Sequence, residues 1–188
     1  MKLPPFILAS TSPRRAELLG LLPVKFKIVA SDATEVAHAH LTPREVCQLN
    51  AHRKARAVAK KFPGSLVLGA DTLVFLNRKI FGKPRSLADA EKMISELQGK
   101  THQVVTGVSL ICLRQKREVV FSVSTDVTFH PLNRTQVRRY LSQINPLDKA
   151  GAYAVQQHGE LIIAELSGSF SNVVGLPIEA LRAELEAW

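Results

Sequence analysis

The stretch SLVLGADTLVFL, Ser65 to Leu76, constrains the chain more than any other. It is a long β-type run of leucine, valine and phenylalanine, broken by one charged residue, Asp71. An ionised carboxylate inside such a strand is very costly unless it is paired, hydrogen-bonded or bound to metal. Either the strand ends at Gly69-Ala70 and Asp71 caps a turn, or the carboxylate is there for chemistry. The return of β-type residues at Leu73 and Val74 favours the second reading.

The neighbouring segments supply the rest of a sheet and its cover. Phe6 to Ala9 reads as a short buried strand. Pro13 to Gly20 reads as a helix capped by Ser12, with Ala16, Leu18, Leu19 and Leu22 on its apolar side. VKFKIVAS alternates, which turns Val24, Phe26 and Ile28 to a core and Lys25 and Lys27 to water. Thr42-Pro43-Arg44-Glu45 is a capping-box pattern opening a helix to about Lys61. Asn77-Arg78-Lys79 turns the long strand into IFGKP. Ser86 starts a helix striped by Leu87, Ala90, Ile94 and Leu97 and ended by Gly99. HQVVTGVSLICL and EVVFSVSTDVTF flank the polar turn Arg114 to Arg117. NRTQVRRYLSQI is helical, DKAGAYAVQQHG is a loop too polar and glycine-rich for a core, ELIIAEL is a strand, and LPIEALRAELEAW is a closing helix. Strand pairs mixed with helical crossovers imply an α/β protein with a mixed sheet.

Composition narrows the class. With 188 residues, 46% of them hydrophobic, the chain has material for a real core. No apolar run reaches the roughly 18–20 residues of a membrane span, and MKLPPFILAS is not read as a signal peptide. Cys47 and Cys112 lie in apolar segments without metal-ligand spacing, as buried thiols of a reducing, cytoplasmic compartment do. The net charge of +9 suits nucleic acid, a membrane surface or small polyanions. Scattered pairs such as Lys60-Lys61 and Arg138-Arg139 also suit a solvated surface.

Four positions break local structural logic, which marks them as functional candidates. Arg14-Arg15 sits at a helix N-terminus, where partial positive charge disfavours cations. The pair makes sense if the free N–H groups, both guanidinium forks and the hydroxyls of Ser10 and Ser12 converge on phosphate. The alternative is that both arginines swing out into water. Lys54 falls on the apolar stripe of Cys47, Ala51, Val58 and Phe62, so it must snorkel or meet an anion. Asp71 is the third, and Lys83, held between Gly82 and Pro84, is the fourth. A Ser10–His102 nucleophile pair is rejected, because no Gly-x-Ser-x-Gly elbow frames the serine. A basic cluster with one strategic carboxylate best fits attack by water on a polyphosphate.

The segments LASTSPRRAELL, NAHRKARAVA, LVLGADTLV, GKP, HQVVTGV, DKAGAYAVQ and GSFSNVVGLPI resemble, in order, the Maf family of nucleoside triphosphate pyrophosphatases, over nearly the whole chain. The resemblance implies a single domain, 1–188, with an elongated mixed β-sheet flanked by helices. It also implies two lobes around a central cleft, as in the Maf/inosine-triphosphatase fold. It implies cleavage between the α- and β-phosphates, giving the monophosphate and pyrophosphate, with a divalent cation (Mg, Mn or Co). Asp71 inherits the role of general base. Ser10, Arg14, Arg15, Lys54 and Lys83 match phosphate-binding residues, and Glu35 matches a ligand of the metal or water, with Asp71 as its partner.

The branch of the family that acts on dTTP and UTP is matched by Arg14, Thr72 and Gln156. A glutamine amide offers one donor and one acceptor, complementary to the O4 and N3–H edge of thymine or uracil. Ser171 and Asn172 are candidates for fixing that amide. Ala154 and Gln157 replace two glycines of the family pattern, so a stiffer loop is expected. The partner is then the triphosphate substrate, with no stable nucleic acid and no membrane; a homodimer is compatible. The rivals are a basic nucleic-acid-binding module and a nucleotide-binding regulator without turnover. Aromatics are only 6%, and Phe26, Phe62 and Phe75 fit core positions, which argues against stacking on bases. Asp71 and Lys83 argue against the regulator.

Overall fold

Local capping places most of the helices. Thr42 and Glu45 form the expected box: Glu45 N–H donates to Thr42 Oγ1 at 3.3 Å and Thr42 N–H donates to the Glu45 carboxylate at 2.7 Å. Asn133 and Gln136 form a second box, and Ser86 Oγ accepts the Asp89 N–H at 3.2 Å. The computed structural model describes residues 3–36, 40–77 and 79–188, so Arg78 of the expected turn lies outside the described residues. The elements are β1 (Phe6–Leu8), α1 (Pro13–Leu19), β2 (Phe26–Ile28), α2 (Pro43–Lys61), β3 (Leu66–Leu76), β4 (Lys79–Phe81) and α3 (Leu87–Leu97). There follow β5 (Thr101–Cys112), β6 (Arg117–Phe129), α4 (Arg134–Leu141), β7 (Ile163–Ser167), α5 (Phe170–Val174) and α6 (Ile178–Glu186).

The strands form one seven-stranded sheet in the order β2-β1-β3-β5-β6-β7, with β4 paired to β3. The β1 strand runs parallel to β2 and to β3, with Phe6 opposite Phe26 and Leu66. The β3/β4 and β6/β7 pairs are antiparallel, so the sheet is mixed, as the alternation of strand pairs and crossovers predicts.

The chain divides into two compact units. The first comprises Met1–Thr72, Thr106–Val123 and Gly175–Trp188. Its central strands β1, β3 and β5 are buried on both faces. Phe6, Leu8, Leu66, Leu68, Val108 and Leu110 pack with Leu19 and Leu22 around α1 and with Ile178, Leu181 and Trp188 around α6. Ile7, Ala9, Val67 and Ile111, one residue out of phase, pack with Ala55, Val58 and Ala59 of α2. The period of two along each strand divides the apolar residues between these layers. The second unit comprises Leu73–Val105 and Ser124–Val174. There Val74, Val104, Val127 and Phe129 pack with Ala90, Ile94 and Leu97 of α3 and with Val137, Tyr140 and Leu141 of α4.

Several expectations are corrected. Ile28 is 55% exposed, because β2 is a three-residue edge strand whose side chain there has no layer to meet. Leu87 and Phe62 are exposed at helix ends, while Phe26 and Phe75 are half-buried. Ser12 makes no side-chain cap; its N–H is instead donated to Ser10 Oγ at 3.2 Å. The α4 helix ends at Leu141, short of Ile144, and the short α5 is a helix that the sequence patterning does not announce. The loop DKAGAYAVQQHG is half core: Lys149, Gly151, Ala152, Tyr153 and Ala154 are all buried. No helix among the described residues is long and apolar enough to cross a membrane.

Candidate active site

The α2 helix lies directly on the sheet because two strand residues have no side chain. A Cβ on Gly69 would sit 2.3 Å from Ala51 O, and one on Gly107 would sit 2.4 Å from Cys47 O. Any larger residue would push the helix outward. This contact brings Asn50 and Lys54, four residues apart and therefore on one helix face, to the middle of β3. There Asp71 is 5% exposed within a continuous strand, so the turn-cap alternative is excluded.

Both oxygens of Asp71 are engaged. Lys54 Nζ donates to Oδ1 at 2.8 Å and Asn50 Nδ2 donates to Oδ2 at 3.1 Å. Lys54 does not snorkel: its side chain is 13% exposed, and Nζ also contacts Glu35 Oε1 at 2.6 Å. The Glu35 side chain is 60% exposed. Two carboxylates therefore meet on one ammonium.

The segment that carries Glu35 is strapped to α2 along its length. Val36 N–H donates to Asn50 Oδ1 at 2.9 Å, and Asn50 Nδ2 donates to Val36 O at 3.0 Å. Arg53 Nε donates to Thr34 O at 3.2 Å, and Lys61 Nζ meets Asp32 at 2.9 Å. The hydrogen bond from Lys61 holds the Asp32 carboxyl below its ordinary value. Sequence reasoning missed Asn50. The available signal was its spacing of four from Lys54 on a face that carries buried alanine and valine.

The turn from β1 to α1 gathers a second group. Arg15 is half-buried and points inward: Nε donates to Gly175 O at 2.9 Å, Nη2 to Thr72 Oγ1 at 3.0 Å and Nη1 to Ser10 Oγ at 3.4 Å. Thr72 Oγ1 also lies 3.0 Å from Thr106 Oγ1. Burial lowers the Arg15 pKa from its ordinary value, the Asp71 and Glu35 carboxylates oppose that shift, and the neighbouring Arg14 adds to it. A guanidinium stays charged through such changes. Arg14 is half-buried beside it. Thus Ser10, Arg15 and Thr72 form one hydrogen-bonded set, and Lys54, Asp71 and Glu35 form another. All of them, with Arg14, belong to the first unit.

Lys83 and Gln156 belong to the second unit. Lys83 is exposed between Gly82 and the buried Pro84. Gly82 O accepts the Gly151 N–H at 3.0 Å. Gly151 adopts a φ of +69°, and a Cβ there would meet Val74 at 3.0 Å, so this joint needs glycine. The following turn is clamped by aromatic hydroxyls. Tyr153 Oη lies 2.8 Å from His102 Nε2, and Tyr140 Oη accepts the Ala154 N–H at 3.0 Å. Burial drives the His102 pKa down to about 4, so the ring is neutral at pH 7. Gln156 itself is exposed on the turn beyond. Asn172 and Ser171 do not fix its amide. Asn172 donates to Val104 O of β5 and Thr125 Oγ1 of β6, and Ser171 Oγ lies 2.9 Å from Ser169 Oγ.

The donor set suits a small hard cation. Glu35 and Asp71 offer carboxylate oxygens within reach of one central group, and Mg²⁺-like ions are held by one or two carboxylates with water and substrate phosphates completing the shell. Among the described residues there is no cluster of three or more His, Cys, Asp or Glu side chains of the kind that binds metal without substrate.

The model of the family described as Maf-like protein matches residues 5–188. The chain belongs to this family. Among Maf relatives, it is 43% identical over 176 residues to a dTTP/UTP pyrophosphatase of Akkermansia muciniphila, a match covering 94% of this chain and 92% of the relative. It is 43% identical over 181 residues to a dTTP/UTP pyrophosphatase of Bacillus cytotoxicus, covering 96% and 94%. A protein of the same name from Symbiobacterium thermophilum is 45% identical over 172 residues, covering 92% and 88%. The Maf chain also superposes on the structure of the Staphylococcus aureus Ham1 protein with a TM-score of 0.58 and 18% identity, covering 97% of this chain and 98% of that one. That likeness concerns the fold alone.

Proposed function

We propose that the chain hydrolyses dTTP and UTP between the α- and β-phosphates, releasing the nucleoside monophosphate and pyrophosphate. The observation that carries this reading is the buried Asp71 carboxylate, held by Lys54 and Asn50 and joined to Glu35 through one ammonium. It stands in a chain related over nearly its full length to proteins named for that reaction. A structural ion pair has no need to interrupt a central strand, and a hydrophobic pair would serve stability as well.

The residues divide the work. Asp71 accepts a proton from the attacking water. Arg14, Lys54 and Lys83 neutralise charge that builds on the leaving pyrophosphate. Arg15 is committed to Gly175 O, Thr72 and Ser10, so it holds the β1–α1 turn in place and adds its field to the anion site. Glu35 and Asp71 would hold a divalent cation such as Mg²⁺, Mn²⁺ or Co²⁺. When bound, the cation would offset phosphate charge and ease deprotonation of water. Gln156 reads the pyrimidine edge. Two buried free thiols, Cys47 and Cys112, suit a cytoplasmic location.

The test is pyrophosphate release from a panel of standard and modified triphosphates with each of the three metals. UTP and dTTP should lead, and Asp71→Asn should lower the rate by about 10²–10⁴-fold while remaining folded. An unchanged turnover number in that variant removes Asp71 from the mechanism.

A further inference from the structure

We propose that Asn50 positions both carboxylates of the site, holding Asp71 directly and Glu35 through the backbone of Val36. What the two carboxylates do rests on the pyrophosphatase reading; the positioning itself does not.

Asn50 is 3% exposed, and every hydrogen-bonding group of its amide is used. One Nδ2 hydrogen serves Asp71 Oδ2 at 3.1 Å and the other serves Val36 O at 3.0 Å, while Oδ1 accepts the Val36 N–H at 2.9 Å. An amide has two donors and one acceptor group, so the three contacts saturate its donors. The two bonds to Val36 imitate a strand pair between a side chain and a backbone. They fix the residue next to Glu35 in both position and rotation. The third bond fixes the plane of the Asp71 carboxylate, leaving Oδ1 to Lys54.

The other straps of this segment, Lys61–Asp32 and Arg53–Thr34, lie at the surface, where ion pairs and long side chains contribute little. Lys54 joins Glu35 and Asp71 by charge but does not orient either carboxylate, because an ammonium is a point charge on a flexible stem. Asn50 alone among these contacts is both buried and directional. Outer partners of this kind set the geometry of the groups that do the chemistry.

The test compares wild type with two variants by amide hydrogen exchange at Val36 and by pyrophosphate release from UTP. In Asn50→Ala, exchange at Val36 should accelerate at least about tenfold. Turnover should fall about tenfold or more, with KM for UTP changed less than about threefold. Glu35→Gln should then remove far less activity in the Asn50→Ala background than in wild type, because a carboxylate already out of place has less to lose. Asn50→Ser leaves a hydroxyl that can satisfy one of these partners but not all three, so it should lose part of the protection at Val36 and part of the turnover. It also carries the test should Asn50→Ala fail to fold. Equal exchange at Val36 in wild type and Asn50→Ala, or losses from Asn50→Ala and Glu35→Gln that simply multiply, overturns the role. Absence of pyrophosphate release in wild type would sink the proposed function, and exchange at Val36 would still decide whether Asn50 holds the segment.

Discussion

Replacing Lys54 by methionine removes the cation from Asp71 and leaves the rest of the packing nearly unchanged. The Asp71 side chain is 6% exposed, and its remaining partner would be the Asn50 amide on Oδ2. Removing one member of a buried ion pair costs about 3–5 kcal/mol, chiefly because the other charge is stranded. The surviving hydrogen bond, and the fit of methionine beside Ala51, Ala55 and Val58, put the value at the low end, about 3 kcal/mol. At roughly 2–4 °C per kcal/mol for a chain of this size, the melting temperature should fall by about 6–12 °C. Asp71→Asn should cost less, about 1 kcal/mol, because Lys54 keeps Glu35 at 2.6 Å and some contact with water. The double variant Lys54→Met/Asp71→Asn has no stranded charge in the strand. It should therefore cost about 2 kcal/mol rather than the roughly 4 kcal/mol of the two single losses added, a coupling of about 2 kcal/mol. Thermal melts and urea titrations of the four proteins at neutral pH measure the cycle. A Lys54→Met protein melting within 2 °C of wild type (roughly the shift of a 1 kcal/mol change), or a double variant whose loss equals the sum of the singles, would refute the reasoning.

Arg14→Ala and Lys83→Ala should each lower kcat/KM by roughly 10²-fold, or about 2.7 kcal/mol of transition-state binding, with turnover suffering more than KM. A pure KM effect in steady-state kinetics would contradict that assignment. Gln156→Ala should lower UTP turnover and flatten the preference for pyrimidines, at about 1–3 kcal/mol. CTP is the control, since its N4 amino group and N3 reverse the donor–acceptor order, and equal rates with CTP and UTP in wild type would remove Gln156 as the reader. His102 gives a pH signature. Its pKa is near 4 when folded and 6.5 when unfolded, so between those values the unfolded chain binds more protons. Stability should therefore fall as pH drops through that window, by up to about 3 kcal/mol. His102→Gln should flatten that slope in urea titrations at pH 4 to 7.

The sequence by itself determined the features that act over a few residues. The capping box at Thr42 and Glu45 and the helix start at Ser86 are contacts three residues apart, and both formed as read, while the box at Asn133 and Gln136 is of the same local kind. The conflict between Asp71 and its apolar strand, and between Lys54 and its apolar face, was legible for a related reason. A charge among hydrophobes announces that some partner must exist. Which partner was a tertiary matter. Lys54 and Asp71 are joined at 2.8 Å only because Gly69 and Gly107 let α2 settle onto the sheet. Asn50 looked like an ordinary helix residue until Val36 and Asp71 were brought to it. Arg15 read as a free phosphate hook, and Gly175, far along the chain, took its Nε. The loop around Tyr153 looked like solvent-exposed coil from its composition, yet His102 and Tyr140 draw it into the second core. Ile28 failed in the opposite sense, since alternation shows which face a residue shares but not whether another layer covers that face. Local hydrogen bonding and the cost of a buried charge are properties of the chain in sequence. Cover, approach and the identity of a partner depend on residues distant along it.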